Sequence, residues 1–293
     1  MSPDTDSLLA FAVDTALAAG GVLTAHDAPF PRAPRLKGAI DPVTDADLAS
    51  ERLIVERIRA AWPGHAICAE EEVHDSDLAG LTWYVDPLDG TVNFSQAHPF
   101  FAVSLACYHG STPLAAVVHA PRLGETFAAA AGRGTTLNGQ RCRVSGKSAL
   151  LESVLATGFA YRRRELLDNN VGHFADMVLR VRGMRRCGSA ALDLAYVAAG
   201  RLDGLWEPHL SPWDVAAGAL LVAEAGGVVS DMSGGGDWLH GRSAVACAPG
   251  LHADILAVLA GREPEDSAAE RAREPAGPAA ERARAPGSAE RRP

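Results

Sequence analysis

A basic surface is what this sequence most plainly lacks. Its 27 lysines and arginines are outnumbered by 36 aspartates and glutamates, leaving a formal net charge of −9. That balance argues against grip on a nucleic-acid backbone, which needs clustered positive charge. It does not argue against a phosphate ester, because bound divalent cations reverse the field locally. Paired cysteines are missing as well. The five, at 68, 107, 142, 187 and 247, are odd in number, widely spaced and free of any CxxC pattern. Neither a disulfide framework nor a thiolate zinc site is suggested, and a cytoplasmic location fits. The 10 histidines form no HxH or HxxxH pair, which removes the usual histidine-based ligand patterns. The opening MSPDTDSLLAFAVDTALAAGG carries acids where a secretion signal is positive. No run reads as the roughly 18 or more apolar residues of a membrane span. From residue 261 onward, aromatics, Ile, Leu and Val all disappear, so 261–293 reads as a disordered Ala/Pro/Arg/Glu-rich tail.

What remains is dense with periodic structure. Leu8, Leu9, Ala12, Val13, Ala16 and Leu17 recur at helical spacing behind a cap at Asp4 or Asp6. A second helix over 45–59 turns Leu48, Ile54, Val55 and Ile58 inward and sets Glu51, Arg52, Glu56 and Arg57 on its wet side. The proline-rich 26–44 between them reads as a loop. A strand over 81–85 runs into DPLDGT, where Pro and Gly argue against regular structure. Strands follow at 100–108, 114–120, 126–130 and 141–144. After residue 150 the elements alternate. A strand near Val154 is followed by helices at 166–181 and 189–199, then a strand at 203–207. A helix at 213–225, strands at 228–231 and 244–248, and a helix at 253–260 complete the series. The pattern predicts an α+β half over 1–148 and an α/β half over 149–260.

Chemistry concentrates in carboxylates. In Trp83-Tyr-Val-Asp-Pro-Leu-Asp-Gly-Thr-Val-Asn-Phe94, a hydrophobic strand ends in Asp86, and Asp89 follows across a proline turn. Such a turn can aim both carboxylates and the Leu88 carbonyl into one small space. Hard oxygen donors without nearby His or Cys suit magnesium rather than zinc. Gly90 and Thr91 add backbone N–H groups, and Thr91 a hydroxyl, for a phosphate. Read locally, the same segment is also an ordinary turn capped by aspartates. Glu70-Glu71-Glu72 follows an apolar stretch and reads either as a solvated loop or as a cation's neighbour. Asp214 opens an apolar helix, where it is a helix cap or an acid aimed at a shared cleft; Ala216, Ala217 and Gly218 permit close helix approach.

Taken together, these segments resemble the inositol monophosphatase family of the lithium-sensitive, magnesium-dependent phosphatase superfamily. The Trp83–Phe94 segment resembles its first signature and WDVAAGALLVAEAGG, from Trp213, its second; the similarity runs from about residue 5 to 260. The resemblance implies a layered αβαβα sandwich of the inositol monophosphatase and fructose-1,6-bisphosphatase type. It implies two or three Mg²⁺ per subunit, held by Glu70, Asp86, the Leu88 carbonyl, Asp89 and Asp214, with Glu71 the alternative to Glu70. Asp47 and Thr91 resemble the pair that orients the attacking water, and Glu70 joins them among the catalytic residues. Lys37-Gly38 begins a loop tied to the third metal. Gly90, Thr91, Gly188, Ser189, Glu207 and Asp214 resemble the substrate-binding set, Glu207 accepting from ring hydroxyls. Arg185 and Arg186 border the substrate or the dimer contact.

The implied activity is hydrolysis of myo-inositol monophosphate by a metal-activated water in a cytoplasmic homodimer, with no membrane or nucleic-acid partner. Histidinol phosphate, fructose 1,6-bisphosphate and 3′-phosphoadenosine nucleotides are the alternative substrates. A recruited, non-enzymatic transcription- or ribosome-associated role is the alternative class.

Overall fold

The computed structural model describes residues 4–26, 35–36 and 42–262. The Lys37-Gly38 loop and nearly all of the 261–293 tail lie outside them. The first half contains α1 (Thr5–Ala25), β1 (Arg35–Leu36), β2 (Pro42–Val43), α2 (Asp45–Ala61), β3 (Ala66–Ala69) and β4 (Leu81–Asp89). It continues through α3 (Thr91–Ser95), β5 (Ala102–His109), β6 (Thr112–Ala120), β7 (Glu125–Ala130), β8 (Gly134–Leu137) and β9 (Gln140–Arg141). The second half contains β10 (Val154–Thr157), α4 (Val171–Val178), β11 (Gly183–Arg185), α5 (Ala190–Ala198) and β12 (Gly204–Pro208). It closes with α6 (Pro212–Glu224), β13 (Val228–Ser230), β14 (Ser243–Cys247) and α7 (His252–Leu259).

Strands β3 to β9 lie in sequence order in a seven-stranded sheet, antiparallel except for the parallel β3–β4 pair. The five-stranded sheet runs β11-β10-β12-β14-β13, with β10 parallel to both neighbours and β14 antiparallel to both of its own. Helices α1 and α2 pack on one face of the large sheet, α5 and α6 lie between the sheets, and α7 with α4 covers the far side. The result is the αβαβα sandwich.

Because both faces of the large sheet are covered, its strands read as nearly unbroken apolar runs, yet the pleat still sorts them. Trp83, Val85, Val103, Leu105, Ala115 and Val117 face α1 and α2. Tyr84, Ala102, Ala106, Tyr108, Ala116 and Val118 face α5 and α6. Close approach of α5 and α6 depends on Gly218, where an added Cβ would lie 2.4 Å from Leu194 Cβ. That is the role its small-residue surroundings suggested.

Several local expectations need correction. Helix α1, 21 residues with a mean hydropathy of 1.8 in its most apolar window, is long and apolar enough to cross a membrane. Its alanine-rich composition accounts for this, and Leu8, Ala12, Ala16, Ala19 and Leu23 bury one face of it in the core. Helix α4 is much shorter than 166–181 because Asn170 adopts φ 68° at its start. The buried Asn170 side chain donates to Thr157 Oγ1 (2.8 Å) and the Gly158 carbonyl (2.7 Å), and accepts from Trp206 Nε1 (2.8 Å). Those tertiary bonds fix the backbone there. The strand expected at 141–144 is only the two-residue β9.

Candidate active site

Strand β4 does not stop at the proline turn. It continues to Asp89, with its register against β5 shifted between Asp86 and Asp89. Asp86 pairs with Ser104 and Asp89 with Ala102, so three steps along β4 match two along β5. In a regular strand, residues three apart point to opposite faces. The extra residue changes that parity and brings both aspartates to the face that looks toward α5 and α6, a common use of a bulge beside a functional site. Pro87, which has no N–H to lose, sits inside the bulge. Ser50 of α2 donates to the Pro87 carbonyl (2.9 Å), and the Leu88 amide donates to Asp86 Oδ1 (3.0 Å).

Two helices present their acids in the same way. Asp47 is the third residue of α2 and Asp214 the third of α6, each in a capping box whose cap residue is Thr44 or Ser211. Asp214 is therefore not itself the cap. The Thr44 amide donates to Asp47 Oδ2 (2.8 Å), and the Ser211 amide donates to Asp214 Oδ2 (2.7 Å). The second Asp47 oxygen, Oδ1, lies 3.0 Å from Thr91 Oγ1, which is also 3.1 Å from the Leu88 carbonyl. Asp89 is fastened to the start of α5 by the Ser189 hydroxyl and the Ala191 amide, both at 2.7 Å.

The Glu70–Glu72 loop is held by a residue that the sequence pattern placed on the wet side of α2. Glu51 is buried, at 1% exposure. Its carboxylate accepts from the amides of Glu71 (2.7 Å), Glu72 (2.7 Å) and Val73 (3.1 Å). Three amide donors compensate its burial, a long-range arrangement that helical periodicity cannot register.

Glu70, Asp86, Leu88, Asp89, Gly90, Thr91, Gly188, Ser189, Glu207 and Asp214 all line one cleft of about 510 Å³. Asp47 stands behind the wall, fully buried, and reaches the site through Thr91. Arg186 also lines the cleft. Asn93 joins its two sides, donating to the Phe100 (2.6 Å) and Cys187 (2.8 Å) carbonyls.

Burial, then the charges of Glu70, Asp89 and Asp214, push the Asp86 carboxyl well above its ordinary range. Asp214 is raised by the same causes, burial first and then Glu70 and Asp89. Burial lifts Asp89 to about 6 against the lowering effect of its Ser189 and Ala191 hydrogen bonds. Among the described residues, no three Asp, Glu, His or Cys side chains close into a finished coordination cage. The donors are nevertheless all oxygen, drawn from the loop after β3, from β4 and from α6 onto one cleft, and the mutual repulsion of their carboxylates is what a hard divalent cation relieves. The residues fit magnesium.

In the same cleft, burial and then the charge of Asp193 push Glu207 up to about 8. A Cβ on Gly158 would fall 1.9 Å from Glu207 Oε1, so a side chain there would push the Glu207 carboxyl out of its place. Glu51, Gly158 and Asp193 were not singled out by the sequence, since the surroundings that give each its role form only in the folded chain. The Cys187 thiol is pushed up to about 12 by burial and by Asp193, which leaves it protonated and unsuited to nucleophilic attack.

A family model described as the inositol monophosphatase family matches residues 4–263. The chain belongs to the inositol monophosphatase family. It is thus placed in a superfamily of magnesium-dependent phosphomonoesterases. Among its relatives, the Nus factor SuhB of Pseudomonas aeruginosa is 48% identical over 215 residues, covering 72% of this chain and 79% of the relative. An inositol monophosphatase structure from Anabaena aligns with TM-score 0.80 at 39% identity, covering 89% of this chain and 98% of the other. SaIMPase-II, a staphylococcal structure solved with inositol monophosphate bound, aligns with TM-score 0.73 at 29% identity, covering 85% and 93%.

Proposed function

We propose that this chain hydrolyses myo-inositol monophosphate to inositol and phosphate with magnesium bound in the carboxylate cleft. The observation that carries the reading is the convergence of Glu70, Asp86, Asp89, Asp214 and the Leu88 carbonyl opposite Glu207. Glu70, Asp86 and the Leu88 carbonyl are assigned to one cation and Asp86, Asp89 and Asp214 to a second, with Glu70 able to serve a third. When bound, the cations supply an acidified water and charge stabilisation for the leaving alkoxide.

The protein's own groups do the rest. Thr91 Oγ1 donates a hydrogen bond to Asp47 Oδ1 and turns a lone pair toward the attacking water. Asp47 stays in place because its other oxygen is held by Thr44. Gly90 and Thr91 form the wall against which the phosphate rests. Gly188 and Ser189 border the leaving group, and Glu207 accepts its hydroxyls. A buried acceptor discriminates against esters that lack those hydroxyls, because they leave it without a donor. SaIMPase-II, with inositol monophosphate bound, supports this choice of substrate. Homodimerisation, cytoplasmic location and lithium sensitivity belong to the same reading by family resemblance.

The test is a phosphate-release panel with magnesium. It spans myo-inositol 1-phosphate, glycerol 2-phosphate, histidinol phosphate, fructose 1,6-bisphosphate and adenosine 3′,5′-bisphosphate. The expected result is the highest kcat/KM on the inositol ester; a higher value on another ester, or equal low rates on all, would overturn the assignment. The name of the Pseudomonas relative, Nus factor, favours a second reading in which the fold also serves a regulatory role. That role would survive Asp89→Asn in cells although phosphate release is lost.

A further inference from the structure

The first turn of α5 carries an acid for which the reaction above has no use. Asp193 lies four residues after Ser189, which places the two on one helix face, toward the cleft. It lines that cleft together with Glu207 and Arg186. The residue is 2% exposed, and its Oδ1 has no hydrogen-bond partner. A side-chain hydrogen bond joins the carboxyl to the Cys187 thiol.

Nearby donors are committed elsewhere. The Ala191 amide donates to Asp89, the Leu192 amide to Ser189 Oγ, and the amide of Asp193 itself to the Ser189 carbonyl. Arg186 influences Asp193 through its charge, but its side chain is exposed. A buried carboxyl oxygen left without a hydrogen-bond partner is costly and rare, and in a residue that lines a ligand cleft the ligand is the obvious source of the missing partner.

We propose that Asp193 is a specificity-determining residue whose Oδ1 accepts a hydroxyl of a polyol leaving group, beside the hydroxyls taken by Glu207. The inference rests on the phosphatase reading above and sharpens it. Two carboxyls from different elements, α5 and β12, bracket the leaving alcohol, so the preferred substrate class is a phosphate ester carrying several neighbouring hydroxyls. Asp193 touches the alcohol and not the reacting phosphorus.

The experiment compares wild type, Asp193→Ala and Asp193→Asn on two esters with saturating magnesium. One ester is myo-inositol 1-phosphate; the other is phenyl phosphate, whose leaving group lacks additional hydroxyls. For Asp193→Ala, kcat/KM on the inositol ester is expected to fall roughly 10- to 100-fold, mainly through KM. On phenyl phosphate it stays within about threefold of wild type, since no hydroxyl contact is lost. Asp193→Asn keeps one acceptor oxygen and falls between, and it carries the same test if the alanine variant does not fold. An equal fall on both esters would make Asp193 merely structural, and no change on either would make it idle; both overturn the proposal. A wild-type protein inert toward both esters would instead overturn the phosphatase reading, and this inference with it.

Discussion

The two oxygens of Asp47 serve different masters. Oδ2 closes the capping box of its own helix, while Oδ1 takes the Thr91 hydroxyl from the far side of the β4 bulge. Replacing Thr91 with Val keeps the shape and removes only the hydroxyl. At saturating magnesium, kcat should fall roughly 10²- to 10⁴-fold, with the midpoint for magnesium activation little changed. Loss of magnesium activation with kcat retained would contradict the assigned role.

The acids also set a pH dependence with a definite sign. Asp89 rises to about 6 and Glu207 and Asp193 to about 8 in the folded chain. The folded state therefore keeps protons that the unfolded state has released, so this contribution to stability is complete below the unfolded values near 4 and is lost as pH rises toward 8. In the metal-free protein, Tm should decline between about pH 5 and pH 8, and added magnesium should raise it most at the upper end. A metal-free Tm that is flat or rises across that window would contradict the site's electrostatics. At this scale the sequence was informative where acids cluster locally, as at Asp86 and Asp89. It was silent at Gly158, whose meaning comes from Glu207 far along the chain, and at Asp193, whose meaning comes from the cleft that other segments build around it.

Elements, not single side chains, bring the acids together. A regular β4 would have sent Asp86 and Asp89 to opposite faces, and the bulge reverses that parity. The proline and glycine of DPLDGT marked the place; the sequence reading took them for the end of the strand because pairing with β5 is a long-range fact. The same limitation affected α2. Helical period assigned Glu51 to water, whereas the loop folding back over it supplies three amides. Glu51→Gln exchanges part of that acceptor for an amide donor facing other donors. It should cost about 1–3 kcal/mol by denaturant unfolding and weaken magnesium binding in calorimetry, because Glu70 is carried on the same loop. Unchanged magnesium affinity with lowered stability would confine Glu51 to a structural role. Helix α4 shows the converse: an apolar stretch continuous in sequence is cut short by Asn170 and its buried partners.

On the scale of the whole molecule, the site is where the layers meet. The β4 bulge and β3 edge come from the large sheet, Asp214 and Ser189 from the two helices between the sheets, and Glu207 from the small sheet. No single layer contains the chemistry. The order of strands and helices made the two halves legible in advance, and the family resemblance carried by two long motifs implied the layering. The assembly of five separate segments around one cleft was expected only through that resemblance, because it depends on packing between the halves.

The central claim is that this cleft hydrolyses phosphate esters through bound magnesium. Its most direct measurement is phosphate release from myo-inositol 1-phosphate across a magnesium titration, for wild type and Asp86→Asn. Wild-type release should rise with magnesium and vanish with chelator. Asp86→Asn, freed of one buried charge, should melt no lower than metal-free wild type and yet release no phosphate above background. Release insensitive to chelator, or a folded Asp86→Asn variant as active as wild type, would contradict the account.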